Sequence, residues 1–375
     1  MDTGRHHFVP KFYLRAFSQN ARQIHVFNLE RREAFLKASL RDQCCEPSFY
    51  GEFPGLEERL QKLEDAFAPV VQEVILTQRP PARNTATMGH LVTFIALQHR
   101  RSVAAVESSV ESWENMRKAL GPMSPELVRD GWSGPISSVE AMRLALGVVN
   151  EAAHGLVDLH MRTLVAPTGV RFVTSDDPVF LYNQFCEGVH GTGVLGIAQR
   201  GLQVFLPVSP EVTVMLFDPA VYKLASGDAI AVTARDVEML NGLQVLSADE
   251  SILLSDENDV AGIRRLVDRY APLRAPKAMN VEVYERVDDP REGQVHAFQL
   301  MPQAHLNLSV CELRRRAKRV PHSKRAAGHR ANAAVRRDAR GEQPDRAPDS
   351  YRPRPADRRG ELVSLEVVPP SRRAR

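Results

Sequence analysis

Hydrophobic residues recur at helical spacing through much of the first half of the chain. Over residues 56–76 they fall three or four positions apart, which predicts an amphipathic helix. The same spacing predicts one long helix or two over residues 85–120, and a third helix over residues 138–165. The first half therefore indicates a central helical bundle.

Two shorter elements are predicted before this bundle. Pro10 is placed as the first residue of a short helix, because its fixed φ angle suits that position and aromatic residues follow on one side. Residues 23–28 and 34–40 are rich in strand-forming side chains and flank a charged turn, which predicts a hairpin.

The spacing of hydrophobic residues changes to that of strands beyond residue 169. Strands are predicted at residues 170–174, 179–182, 202–206 and 212–217, and later near 281–284 and 297–300. Helices are predicted between these two groups, at residues 234–247 and 258–270. Because helices and strands occur in blocks and do not alternate, the sequence predicts an α+β fold with an antiparallel-rich C-terminal sheet.

Charge separates the end of the chain from the rest. Residues 312–375 contain 19 Lys+Arg and 8 Asp+Glu, whereas residues 1–311 contain 30 basic and 38 acidic residues. The terminal segment has few aliphatic residues to offset the entropy of ordering, so we predict a disordered basic tail after a single domain spanning residues 1–311. This tail is either a solvated extension or a segment that binds nucleic acid or acidic surfaces by counterion release.

Several protein classes are disfavoured by composition. The longest uncharged apolar run, near residues 91–97, is too short to cross a bilayer, and the polar N-terminus does not resemble a signal peptide. Four cysteines show no metal-binding spacing, which favours reduced thiols in the cytoplasm. We therefore expect a cytoplasmic protein without a membrane partner.

Four ordered segments carry a family resemblance. They read His-His-Phe-Val-Pro-Lys-Phe-Tyr-Leu-Arg-Ala-Phe (6–17), Phe-Ile-Ala-Leu-Gln (94–98) with Arg101, Phe-Val-Thr-Ser-Asp-Asp-Pro-Val (172–179) and Leu-Pro-Val-Ser-Pro (206–210). Together they resemble a bacterial family called domain of unknown function 4238, over about residues 6–270. The resemblance implies no activity. Where that family commonly has Ser-Asp-Asn-Pro, this chain has a second carboxylate, Asp177.

Polar residues on the apolar faces of the predicted helices are candidate binding residues. Glu64 lies at the edge of one apolar stripe, where we favour a bond to an arginine or a backbone amide. Gln98 falls inside the next stripe, with Arg101 near its border and Arg100 facing away. A bond between helices is the favoured role for Gln98, and contact with a ligand is the alternative.

Histidines and aspartates are the candidate catalytic residues. His6 and His7 precede the first helix, so that at most one ring can point inward; capping of that helix with solvent exposure is the alternative. Asp176 follows a predicted buried strand, where carboxylates serve either a site or a turn. His160 falls on an apolar helix face and is interpreted as a core histidine.

These residues support two hypotheses for the body. In the first, it is a hydrolase of a phosphodiester or similar ester, with catalysis by His6, His7 and Asp176 and with a divalent metal as a possible cofactor. In the second, it is a non-catalytic ligand-binding or regulatory module, with binding by Glu64, Gln98, Arg101 and Asp177. The sequence contains no His-Glu-x-x-His, Asp-x-Asp or glycine-rich phosphate motif.

Overall fold

The computed structural model describes residues 5–47, 49–50, 55–120, 134–189, 193–288, 292–326, 329–330, 351–353 and 364–368. It confirms the α+β class. The helices of these residues are α1 (Lys11–Arg15), α2 (Leu56–Thr77), α3 (Ala86–Arg100), α4 (Val103–Leu120), α5 (Ser138–Gly147), α6 (Val149–Leu156), α7 (Ala234–Ser247), α8 (Val260–Tyr270) and α9 (Arg315–Lys318).

Strands of the described residues lie on both sides of the helical bundle in sequence. They are β1 (Arg5–His7), β2 (Gln23–Asn28), β3 (Glu33–Ser39), β4 (Cys45–Pro47), β5 (His160–Val165), β6 (Thr174–Ser175), β7 (Phe180–Tyr182), β8 (Gln203–Pro207), β9 (Val212–Phe217), β10 (Tyr222–Leu224), β11 (Ala229–Ala231), β12 (Ser251–Leu254), β13 (Asn280–Arg286), β14 (Glu292–Phe298), β15 (Cys311–Leu313), β16 (Tyr351–Pro353) and β17 (Ser364–Val368).

Two helices, α3 and α4, occupy the stretch predicted as one helix or two. The Thr85 hydroxyl accepts a hydrogen bond from the Met88 amide at 3.2 Å and so caps the start of α3. The helix ends at Arg100, and α4 begins at Val103. The break places Arg101 outside both helices, which decides its role in the site.

The helix predicted over residues 138–165 is wrong in its last part. Helix α6 ends at Leu156, and residues 160–165 form the strand β5. All six residues of β5 pair with β9, and this distant partner overrides the local helical spacing. His160 therefore begins a strand, where its ring lies 5.9 Å from that of Phe217.

Two sheets form the centre of the described body. The larger has the order β11-β5-β9-β8-β7, with all neighbours antiparallel except the parallel pair β11 and β5. The second has the order β3-β2-β12-β6, so the N-terminal hairpin pairs with a strand more than two hundred residues later. Residues 170–173 of the predicted strand 170–174 are not part of a strand. The second sheet places residues 174–177 beside the start of β12.

Most of the predicted basic tail lies outside the described residues. Its described parts contact the body: β15 pairs with β10, and the buried Arg330 binds the Asp158 carboxylate at 3.0 Å. The strands β16 and β17 pair with β13 and β14. A domain boundary at residue 311 stays a prediction. Among the helices of the described residues, none has the length and apolar character needed to cross a membrane.

Candidate functional site

The four segments that carry the family resemblance meet in the core. Tyr13, fully buried, donates its hydroxyl proton to the Pro207 carbonyl at 2.6 Å and contacts the Thr174 hydroxyl at 2.6 Å. Its ring lies 6.1 Å from that of Phe94. Tyr13 of the first segment thus contacts each of the other three segments. We call this group of residues, Tyr13, Phe94, Thr174 and Pro207, the Tyr13 hub.

The carbonyl of Phe8 is a second shared acceptor. It accepts hydrogen bonds from the Gln98 amide nitrogen Nε2 at 3.0 Å and from Arg101 Nε at 2.9 Å. Gln98 is fully buried, but the predicted bond between helices is wrong, because its acceptor Phe8 lies in the segment between β1 and α1. Among the described residues Gln98 Oε1 has no partner.

Arg101 is the most deeply buried charged side chain of the N-terminal region, with 1% of its surface exposed. It binds the Glu64 carboxylate at 2.7 Å and the His7 carbonyl at 2.8 Å. The predicted bond of Glu64 to an arginine is confirmed. The predicted border position of Arg101 is wrong, because α3 ends one residue earlier and the helical spacing no longer applies.

The two adjacent histidines lie in the strand β1 and make different contacts. The His6 ring stacks on that of Tyr50 at 5.2 Å, and its Nε2 lies 3.7 Å from the Glu57 carboxylate. The His7 ring contacts the Arg41 carbonyl at 3.0 Å, while burial and the nearby Lys11 lower the pKa of His7 to about 4. Capping of the first helix by either ring is wrong, because no side chain caps α1.

Four of the predicted site residues line one cleft of about 470 Å³, which we call the N-terminal cleft: His6, His7, Glu64 and Arg101. Asp176 and Asp177 are absent from its described lining. Arg101 and Glu64 are paired with each other, so this pair offers little free charge to a ligand; the lining also includes Arg5, Lys11, Arg15, Glu57 and Asp65.

Asp176 lies elsewhere and holds a turn of the backbone. Its carboxylate oxygens accept hydrogen bonds from the backbone amides of Asp249, Glu250 and Ser251 at 2.8, 2.8 and 2.9 Å. Burial raises the pKa of Asp176 to about 6, although the amides of Glu250 and Asp249 act in the opposite direction. The carboxylate therefore fixes the turn that leads into β12.

Asp177 faces a second cavity, of about 460 Å³, which we call the Arg100 cavity. Helices α3 and α4 contribute one side, and further residues come from α5, from segments around β7 and β14, from the end of α7 and from residues 193–197 and 275–279. Its lining includes His99, Arg100, Trp113, Asp177, Phe180, Lys277 and Phe298. Lys277 binds the Asp177 carboxylate at 2.9 Å and also donates to the Ser247 carbonyl.

Buried polar atoms in this cavity have no partner among the described residues. They are Nδ1 of His99, Nε of Arg100 and Oδ1 of Asp177. Burial, with Arg100 and Lys277 nearby, lowers the pKa of His99 to about 3. Burial also lowers the pKa of Arg100. Such groups are typical of a site that is completed by a ligand.

Three residues of this cavity were missed from the sequence: His99, Arg100 and Lys277. The signal available was a run of basic residues at the end of a predicted apolar helix, His99-Arg100-Arg101. Helical spacing assigned Arg100 to the outside, and nothing near Lys277 indicates a partner in Asp177, 100 residues earlier.

We expect His99 to make the protein less stable in acid. Because its pKa is about 3 in the fold and 6.5 in the unfolded chain, the unfolded chain binds a proton first as the pH falls. Stability should be fully present above pH 6.5 and then decrease by up to about 1.4 kcal/mol per pH unit. Urea unfolding at several values between pH 7.5 and pH 4.5 measures this decrease.

The His99→Gln variant is the control for this pH dependence. His7 acts in the same direction, and Asp176, whose pKa is raised, acts in the opposite one; both are retained in the variant. The difference between the wild type and the variant therefore isolates His99. Equal pH dependence of the two proteins contradicts the prediction.

Comparisons with known proteins give a family and no activity. A family model described as "Protein of unknown function (DUF4238)" matches residues 5–258. No curated protein and no solved structure matches the chain. Among the described residues, no group of three or more His, Cys, Asp or Glu side chains could hold a metal ion.

Proposed function

Since the chain belongs to the DUF4238 family, whose description names no activity, we propose a function from the geometry. The protein is a non-catalytic module that binds a small organic molecule in the Arg100 cavity. The observation that carries the proposal is the set of buried polar atoms, without partners among the described residues, that belong to the lining of this partly open cavity.

The size and lining of the cavity support this proposal. Its volume of about 460 Å³ falls in the range of small-molecule sites. Trp113, Phe180 and Phe298 provide an apolar surface, and the ionisable residues of the lining are His99, Arg100, Asp177 and Lys277. Mostly apolar walls with a few oriented polar groups are the usual composition of such sites.

The ester-hydrolase hypothesis draws less support from the same structure. Both carboxylate oxygens of Asp176 are occupied by backbone amides, which leaves no free base there. His7 contacts a backbone carbonyl and has a pKa of about 4, well below the value suited to proton transfer at neutral pH. His6 contacts Tyr50 and Glu57, at a distance too great for a good hydrogen bond to Glu57.

Cytoplasmic location and the binding of nucleic acid or acidic surfaces by the basic tail stay predictions. Residues 312–330, most of which are described, contain 8 Lys+Arg and 1 Asp+Glu, whereas residues 331–375 contain 11 Lys+Arg and 7 Asp+Glu, so most of the tail's excess positive charge belongs to its first part. The proposal for the Arg100 cavity does not depend on either prediction.

A neutral apolar fluorophore should bind in the Arg100 cavity. We expect N-phenyl-1-naphthylamine to increase in fluorescence on titration with the wild-type protein, because the cavity removes it from water. The Ser109→Phe variant should abolish this increase by filling the cavity, which Ser109 lines. The Ser109 hydroxyl bonds only to the Ala105 carbonyl of its own helix, so its loss costs little stability.

Ser109→Ala is the matched control, because it removes the same hydroxyl and leaves the cavity open. Binding that is equal in Ser109→Phe and Ser109→Ala contradicts the cavity as the binding site. Hydrolysis of bis(4-nitrophenyl) phosphate that is lost in His7→Gln, with an unchanged melting temperature, would contradict the non-catalytic assignment and restore the hydrolase hypothesis.

A further inference from the structure

Three ionised side chains line the described part of the Arg100 cavity, and their charges do not cancel. Lys277 and Asp177 form an ion pair at 2.9 Å, which balances one positive charge with one negative charge. Arg100 makes no ion pair with a described residue, and its Nε is buried without a hydrogen-bond partner. One positive charge is left over inside the cavity.

The neighbouring His99 neither balances the positive charge of Arg100 nor adds a second positive charge. With its pKa lowered to about 3, His99 is neutral at physiological pH. The Glu64 carboxylate binds Arg101, and neither residue is in the described lining of the Arg100 cavity. Burial is the cause that lowers the pKa of Arg100, with no carboxylate acting against it.

Arg100 is partly exposed, but its Nε is buried without a partner among the described residues. A partly buried cation without a counter-charge favours an anion bound beside it. We propose that the ligand of the Arg100 cavity is a small organic monoanion: an apolar body that packs on the aromatic walls, with one carboxylate, sulfonate or similar group on the Arg100 guanidinium. This inference rests on the proposed function and specifies its ligand class. Arg100 is then the residue that selects for charge, and the free Asp177 Oδ1 accepts from a ligand hydroxyl or amine.

Two fluorophores that share a ring system separate this inference from the proposed function. 8-Anilinonaphthalene-1-sulfonate carries one sulfonate, and N-phenyl-1-naphthylamine lacks it. We expect the full-length wild type to bind the sulfonate at least about tenfold more tightly, because charge-assisted hydrogen bonds are the stronger kind. Ser109→Phe should abolish binding of both probes, which assigns them to the cavity.

Arg100→Gln tests the residue itself. The affinity for the sulfonate should fall by about tenfold or more, whereas the affinity for the neutral probe should change less than about twofold. Arg22→Gln, at an exposed position away from the cavity, is the matched control and should keep the preference of the wild type.

Each outcome of the test is informative. If the neutral probe binds in the cavity but the wild type shows no preference for the sulfonate, the inference is overturned while the proposed function stands. If neither probe binds, the proposed function fails and the inference fails with it. Should Arg100→Gln not fold, the preference of the wild type for the anionic probe still decides the question.

Discussion

Replacing Arg101 with methionine is expected to lower the free energy of unfolding by about 3–5 kcal/mol, because it removes one partner of a buried ion pair. The change leaves the Glu64 carboxylate without its cation and the His7 carbonyl without its donor. It also removes one of the two donors to the Phe8 carbonyl. Urea unfolding at pH 7.5, followed by circular dichroism, measures the loss.

Arg100→Met is the matched control for this experiment, since the two arginines are adjacent and the same side chain replaces each. Arg100 has no ion-pair partner among the described residues, so its replacement breaks no ion pair and should leave stability unchanged or raise it. Equal losses in the two variants would show that Arg101 does not have the structural role assigned to it.

The second large effect is expected from Asp176→Asn. At pH 8 the carboxylate is ionised and accepts from three backbone amides, and the new side-chain amide would direct N–H groups at at least one of them. An unsatisfied buried amide and weaker remaining bonds should together cost about 3 kcal/mol. Chemical denaturation at pH 8 measures the cost.

Asp177→Asn, one residue away, provides the contrast. It neutralises one partner of the ion pair with Lys277 but keeps a side-chain oxygen that can accept from the lysine, and the other oxygen has no partner to lose among the described residues. We expect a smaller loss of stability than in Asp176→Asn and an altered ratio of affinities for the two fluorophores. A larger loss in Asp177→Asn than in Asp176→Asn would reverse the roles that the structure gives to the pair.

Elements with strong local patterns could be predicted from the sequence. The start of α2 at Leu56 and both ends of α7 match the prediction, because regular apolar spacing and a capping threonine at residue 233 act locally. Strand β5 could not be predicted, since Met161 and Leu164 suit a helical stripe equally well and only the pairing with β9 decides.

The site was harder to predict for a related reason. Arg101 binds Glu64, and Arg101 and Gln98 share the Phe8 carbonyl, but helical spacing identified only Gln98 as inward-facing. The roles of Asp176 and Asp177 depend on partners more than seventy residues later, which local sequence does not reveal. Likewise Arg100 and Arg101 are adjacent in sequence but line different cavities, because helix α3 ends between them.

The residues that line the Arg100 cavity come from two parts of the chain, one inside and one outside the region matched by the family model. His99, Arg100 and Asp177 belong to the region matched by the family, residues 5–258, whereas Lys277 and Phe298 follow it. The Tyr13 hub lies wholly inside the matched region. Exchange of Lys277 and Phe298 between relatives should therefore alter the fit of the ligand's apolar body, whereas the preference for an anion should stay with Arg100.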